Sequence, residues 1–194
     1  PRRRIASLLA LPLRDAAADR DPRKEYPCRV PTELMSPALR RAESLIREIP
    51  DYPQPGVLFR DITPLLADGE AFRATVDALI GPFAGQFDVV AGIEARGFLF
   101  ACAAAVVSGT GMVPVRKAGK LPQPAVTMDY ALEYGTASIE MHADLEAGTR
   151  VLLIDDVLAT GGTVAATLRM LEQLGYPVCG TSVLFEIEGL GGRE

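Results

Sequence analysis

A chain of 194 residues with a single histidine, three cysteines and no tryptophan has several chemistries closed to it from the start. With His142 alone, neither a histidine-based catalytic triad nor a zinc site with several histidine ligands can be assembled. Its surroundings, Met141-His-Ala-Asp, predict a solvated strand end. Cys28, Cys102 and Cys179 are odd in number and far apart, which excludes a disulfide framework and suits free thiols in a reducing compartment. A basic excess is missing as well: 20 Lys and Arg face 25 Asp and Glu, a formal net charge of −5. That balance argues against a general nucleic-acid binder, so any anionic ligand must be met by a local basic patch. No run approaches the ~20 apolar residues of a membrane span. The start, PRRRIASLLALPLRD, resembles a signal peptide in outline, but Pro12, Arg14 and Asp15 cut the apolar run short, and the expected location is cytoplasmic.

What is present suits an ordinary globular domain: 48% apolar and 23% charged residues, with no internal repeat. Residues 1 to about 35 mix Arg, Asp, Ala and Pro without a sustained period and are expected to be a disordered extension. Order is expected from Ser36, an N-cap candidate followed by Pro37 at the first helical position. Helical spacing of Leu39, Ala42, Leu45, Ile46 and Ile49 predicts a helix that stops before Pro50. The segment PDYPQPGVLFRDITPLL follows, rigid and irregular, of the kind that carries recognition. Next come a helix over about 70–83, a strand over 87–93, a small-residue helix GFLFACAAAVVS, a strand MVPV, a long loop over 118–135, and strands ASIEM and VLLID. A helix from Val164 to Leu174 and a last strand VCGTSVLFE complete the order. Strands alternating with helices, with continuous apolar runs at the centre, predict an α/β fold with a mainly parallel sheet covered on both faces. In such sheets ligands bind beyond the carboxyl ends of the strands. Three strand ends carry unusual chemistry, Glu94–Gly97, Arg116–Lys120 and Asp155–Thr163, and they are expected on one rim.

The most informative stretch is VLLIDDVLATGGT, residues 151–163. Ala159-Thr160-Gly161-Gly162-Thr163 leads into a helix, where backbone N–H groups and the positive end of the helix dipole suit a phosphate. An ordinary turn would explain T-G-G-T alone. The spacing is neither that of a Walker loop nor that of a dinucleotide fingerprint. Asp155 and Asp156 discriminate: two acids beside a phosphate cradle make sense when they accept from sugar hydroxyls, as a ribose 5-phosphate would allow.

With its apolar run, paired acids and T-G-G-T loop, this stretch resembles the phosphoribosyl pyrophosphate (PRPP) signature of the type I phosphoribosyltransferases. PDYPQPGVLFRDITPLL, EARGFLF, VPVRKAGKLP and YALEYG resemble, in order, the motifs of the adenine-specific branch of that family, from about Pro37 to Glu194. The resemblance implies a type I phosphoribosyltransferase fold with a small N-terminal hood over about 36–66 and a flexible catalytic loop. It implies transfer of the 5-phosphoribosyl group of PRPP to adenine, giving AMP and pyrophosphate, with Mg²⁺ bound mainly by PRPP and water. Ala159 to Thr163 match the loop for the 5-phosphate, and Asp155 and Asp156 the pair at the ribose hydroxyls. Arg96, Arg116 and Lys120 match the cations that meet pyrophosphate, Arg96 near a cis peptide at Glu94–Ala95. Glu133 is the residue implied to manage the adenine proton, under a lid that Tyr134 closes. Leu58, Phe59 and Arg60 are implied to bind adenine, by stacking on Phe59 and backbone contacts on either side, with Ile187 lining the same pocket. A homodimer is implied, and no nucleic-acid or membrane partner.

Two features depart from the family pattern: the N-terminal extension, and an end at GLGGRE where relatives are expected to run on for about 20 residues and add a strand to the hood. The competing expectations are a non-catalytic PRPP-sensing regulator and a phosphoribosyltransferase for hypoxanthine/guanine or xanthine. An intact GKLP and LEYG disfavour the first and PQPGVLFRD the second.

Overall fold

The computed structural model describes residues 5–6, 9–11, 35–131, 135–187 and 189–193. The apolar runs of the sequence lie side by side at its centre. The strands are β1 (Ile5–Ala6), β2 (Leu9–Leu11), β3 (Arg47–Pro50), β4 (Leu58–Asp61), β5 (Val89–Ile93), β6 (Gly111–Lys117), β7 (Val126–Ala131), β8 (Thr136–Met141), β9 (Val151–Leu158) and β10 (Val178–Ile187). The α-helices are α1 (Pro37–Ser44), α2 (Thr63–Ala67), α3 (Gly69–Ile80), α4 (Gly97–Ser108) and α5 (Gly162–Gln173). Strands β10, β9, β5 and β6 are parallel neighbours, while β8 and β7 extend the β6 side antiparallel. The mainly parallel α/β sheet expected from the sequence is therefore observed.

Strict alternation along β9 divides the core. Val151 and Leu153 join the cluster that includes Val164, Met170 and Leu171 of α5. Leu152 and Ile154 join the opposite cluster with Leu79 of α3 and Phe100 and Ala104 of α4. All four are 0% exposed, the condition under which a strand carries no polar face. Ser36 caps α1 as expected, its hydroxyl accepting from the Leu39 amide.

Several elements differ from the sequence expectation. The first helix ends at Ser44, not at Ile49, because Arg47–Pro50 pairs antiparallel with Leu58–Asp61 in a separate two-stranded ladder. Helical spacing continued to Ile49, but the ladder with β4 takes those residues. The segment expected to be irregular over 50–66 thus holds a strand and the short helix α2. The long loop over 118–135 is also largely ordered: Val126–Ala131 forms β7 against β8, with Val126 and Tyr130 buried and Thr127 and Asp129 outward. In the extension, β1 and β2 pair antiparallel with β10, with Ile5 opposite Ile187 and Leu9 opposite Val183. At these residues a disordered tail is replaced by strand. The physical reason is the outer edge of β10, whose unpaired backbone groups accept a short apolar run.

Candidate active site

Strand β9 runs through the acidic pair to Leu158, so Asp155 and Asp156 project from a strand and not from the turn after it. They are 8% and 4% exposed. The Asp156 amide donates to its neighbour's Asp155 Oδ1 at 2.8 Å. Burial, and then the adjacent Asp156 charge, push the Asp155 carboxyl well above the ordinary aspartate range. Burial also raises Asp156, against the opposing pull of Arg96. Arg96 Nε lies 2.9 Å from Asp156 Oδ2, close enough for an ion pair. The approach is not aligned as a hydrogen bond, however, and Oδ2 is a buried oxygen without such a donor. An acceptor of that kind is costly unless a ligand completes it.

The chain then turns through Ala159, Thr160 and Gly161 into α5. Gly161 is the N-cap, in the left-handed region at φ 80°, and no side chain caps the helix. The first-turn N–H groups are thus available to an anion. A side chain at Gly161 would also be blocked by packing, since a Cβ there would lie 2.6 Å from the Gly192 carbonyl oxygen. The segment around Gly192 therefore backs the loop. These elements line a cleft of about 640 Å³ together with Glu94, Ala95, Arg96, Lys117 and Tyr130. The three chemically unusual strand ends meet at this cleft, the middle one through Lys117 and Ala118, while Arg116 and Lys120 are not among the residues that line it.

Opposite the acids, the Glu94–Ala95 peptide is cis, at the position expected. Arg96 follows as the N-cap of α4. Its guanidinium lies 5.6 Å from the centre of the Phe59 ring, so it links β4 to the acidic pair. Phe59 also meets Tyr52 edge-on at 5.1 Å. The Arg60 side chain points inward, 7% exposed and 5.5 Å from the Phe185 ring centre, leaving its backbone as the part that could meet a base. Leu58 is exposed and Ile187 half-buried, and neither they nor Phe59 and Arg60 line the cleft wall. Glu133 and Tyr134 lie outside the described residues.

Arg116 and Lys120 both engage Glu94. Glu94 Oε2 accepts from Arg116 Nε at 3.0 Å and from the Lys117 amide at 2.9 Å, and Oε1 accepts from Lys120 Nζ at 2.7 Å. Burial alone would raise this carboxyl. The bonds from Lys120, Lys117 and Arg116 outweigh that and bring it down to about 2. The sequence motifs give Glu94 no role of its own. Nor do they single out Glu140, a buried carboxylate on β8 that accepts from the Gly119 and Leu121 amides at 2.9 and 3.4 Å. His142, which the sequence left without a role, donates from Nε2 to the Pro122 carbonyl at 2.7 Å. Among the described residues no three metal-ligating side chains cluster, and no helix is long and apolar enough to cross a membrane.

An uncapped helix start behind two buried acids defines a class, and comparison with known proteins identifies it. The phosphoribosyl transferase domain model matches residues 66–189, and the chain belongs to that family. Similar curated proteins carry a more particular name. Adenine phosphoribosyltransferase of Renibacterium salmoninarum is 57% identical over 165 residues, covering 84% of this chain and 89% of the relative. That of Clavibacter sepedonicus is 55% identical over 175 residues, covering 90% of both. Among solved structures, adenine phosphoribosyltransferase from Rhodothermus marinus superposes with a TM-score of 0.76 at 49% identity, covering 80% of this chain and 90% of that one. The Saccharomyces cerevisiae enzyme, solved with adenine and an imino-altritol bisphosphate, gives 0.76 at 34% identity, covering 80% and 92%.

Proposed function

We propose that this chain is an adenine phosphoribosyltransferase of purine salvage, transferring the 5-phosphoribosyl group of PRPP to adenine with release of pyrophosphate. The observation that carries the reading is the pairing of buried Asp155 and Asp156 with the uncapped start of α5, one suited to sugar hydroxyls and the other to a phosphate. Backbone N–H groups from Gly161 to Thr163, with the Thr160 and Thr163 hydroxyls, hold the 5-phosphate. The acidic pair accepts from the 2- and 3-hydroxyls, and one of these hydroxyls donates to the buried Asp156 Oδ2, which otherwise has no donor.

The bond from the anomeric carbon to the pyrophosphate oxygen breaks early, and its electron pair leaves with pyrophosphate. Arg96, Arg116 and Lys120 stabilise the departing charge, while the two acids sit near the positive charge developing on the sugar. The adenine nitrogen N9 closes the new bond, and its proton passes to Glu133. Tyr134 and the loop from Ala118 exclude water, which would otherwise hydrolyse PRPP. Phe59 stacks on the base, and the backbone of Leu58 and Arg60 reads its edge, with Ile187 at the side. A backbone carbonyl facing the 6-amino group leaves a 6-oxo purine mispaired.

Mg²⁺ accompanies PRPP in this reading. The donor set fits a cation held mainly by substrate oxygens and water, since among the described residues two adjacent carboxylates without a third ligand do not make a protein cage. When bound it neutralises charge on the leaving group.

The working unit is proposed to be a cytosolic homodimer. Leu99 and Val106, 45% and 83% exposed, lie with exposed Cys102 along one face of α4 and form an apolar stripe that a second copy would cover. Sedimentation at micromolar concentration tests this, and a monomeric mass would contradict it. Unpaired Cys102 and Cys179 agree with a reducing cytosol. The reaction is tested by pyrophosphate release from Mg-PRPP with each purine. Adenine is expected to turn over fastest. Faster hypoxanthine turnover would overturn the specificity, and PRPP binding without turnover would leave a sensor.

A further inference from the structure

Glu94 is assigned no part in the transfer, yet two of the pyrophosphate cations are fastened to it. Its side chain is 8% exposed at the end of β5. Three donors from residues 116–120 converge on its two oxygens, at 2.7 to 3.0 Å. The cations stand on its solvent side, Arg116 at 32% and Lys120 at 52% side-chain exposure. Arg116 reaches Glu94 through Nε, which leaves its Nη groups uncommitted to this carboxylate. Lys120 spends one of its three ammonium protons there. The Arg116 guanidinium also lies 5.9 Å from the centre of the Phe98 ring, which restrains it further. Through the Lys117 amide the carboxylate also grips the backbone, so it ties the end of β6 to the turn that carries Arg96.

An exposed lysine or arginine has much rotamer freedom to lose when it meets a ligand, and ordering it beforehand lowers the cost of binding. We propose that Glu94 is a positioning residue: by anchoring Arg116 and Lys120 through one donor each, it presets their other donors for the pyrophosphate group of PRPP. The inference deepens the proposed reaction and rests on it. The opposite arrangement, in which Glu94 competes with pyrophosphate for the same cations, makes the opposite forecast and is separated by sign.

The test is calorimetric titration of inorganic pyrophosphate and of Mg-PRPP into the wild-type protein, Glu94→Gln and Glu94→Asp, with steady-state kinetics and thermal melting alongside. Preset cations predict affinity for both ligands about tenfold weaker in Glu94→Gln. The KM for adenine is expected to stay unchanged, with part of the loss recovered in Glu94→Asp, which keeps the charge. Loss of the Glu94 bonds lowers Tm in either case, but a purely structural role would weaken adenine and PRPP together, overturning the proposal. Unchanged or tighter pyrophosphate binding in Glu94→Gln would overturn it too. Wild-type protein that binds neither ligand and forms no AMP would remove the reaction itself, and this role with it.

Discussion

Asp155, 8% exposed beside a second buried carboxylate, would serve the proposed binding at a cost to folding. Its carboxyl is held well above the ordinary range, chiefly by burial, so the native state keeps a proton that the unfolded chain has already released. Stability then falls as pH rises through the window above the ordinary aspartate value, and the cost disappears below that value. Asp155→Asn removes this penalty while keeping the side-chain shape. At neutral pH the ligand-free variant is expected to be about 1 kcal/mol more stable, a rise of about 2–4 °C in Tm for a chain of this size, while its affinity for PRPP falls. Melting curves at pH 5 and 7 read the effect, and a lower Tm at both would contradict it. Glu94 has the reverse sign. Held down to about 2, it adds stability that is complete above the ordinary glutamate value and is lost as pH falls towards 2.

Among the elements, the loop proposed to hold the phosphate packs against a segment far along the chain. Gly161 and Gly192 approach back to back: a Cβ on Gly192 would overlap the Ala159 carbonyl oxygen and come within 2.9 Å of Leu158 Cγ. The Arg193–Glu186 ion pair at 2.5 Å ties the same segment to β10. Gly192→Ala is therefore expected to displace the loop and raise the KM for PRPP about tenfold, with a smaller change in the KM for adenine. Gly189→Ala, at positive φ (84°) and facing open space, strains the same segment without the clash and is the control. Equal KM values for the two variants would argue against the brace. The loop itself was legible in the sequence because apolar run, acids and glycines are contiguous. The β3–β4 ladder was not, because Leu45, Ile46 and Ile49 satisfy a helical period and the pairing with Leu58–Asp61 is made at a distance. Strand β7 could have been found from the alternation of Val126, Met128 and Tyr130, which the expectation of a lid obscured. The clamps at Glu94 and Glu140 escaped for a different cause: each joins a strand to a segment about twenty residues away, and no local pattern marks such a contact.

At the scale of the whole molecule, the proposed reaction requires a chain of net charge −5 to hold a strongly anionic donor. Arg96, Arg116, Lys117 and Lys120 are concentrated at the ends of two neighbouring strands, where the field is local and the overall charge would matter little. The parallel sheet brings those strand ends beside the end of β9, so fold and site are one arrangement. The most direct measurement titrates Mg-PRPP into wild-type protein and into the Asp155→Asn/Asp156→Asn double variant, with turnover of adenine followed in parallel. The wild type is expected to bind and turn over. The double variant is expected to melt as a folded protein yet lose at least about a hundredfold in affinity, with no detectable AMP. A double variant that binds PRPP and forms AMP like the wild type would contradict the account.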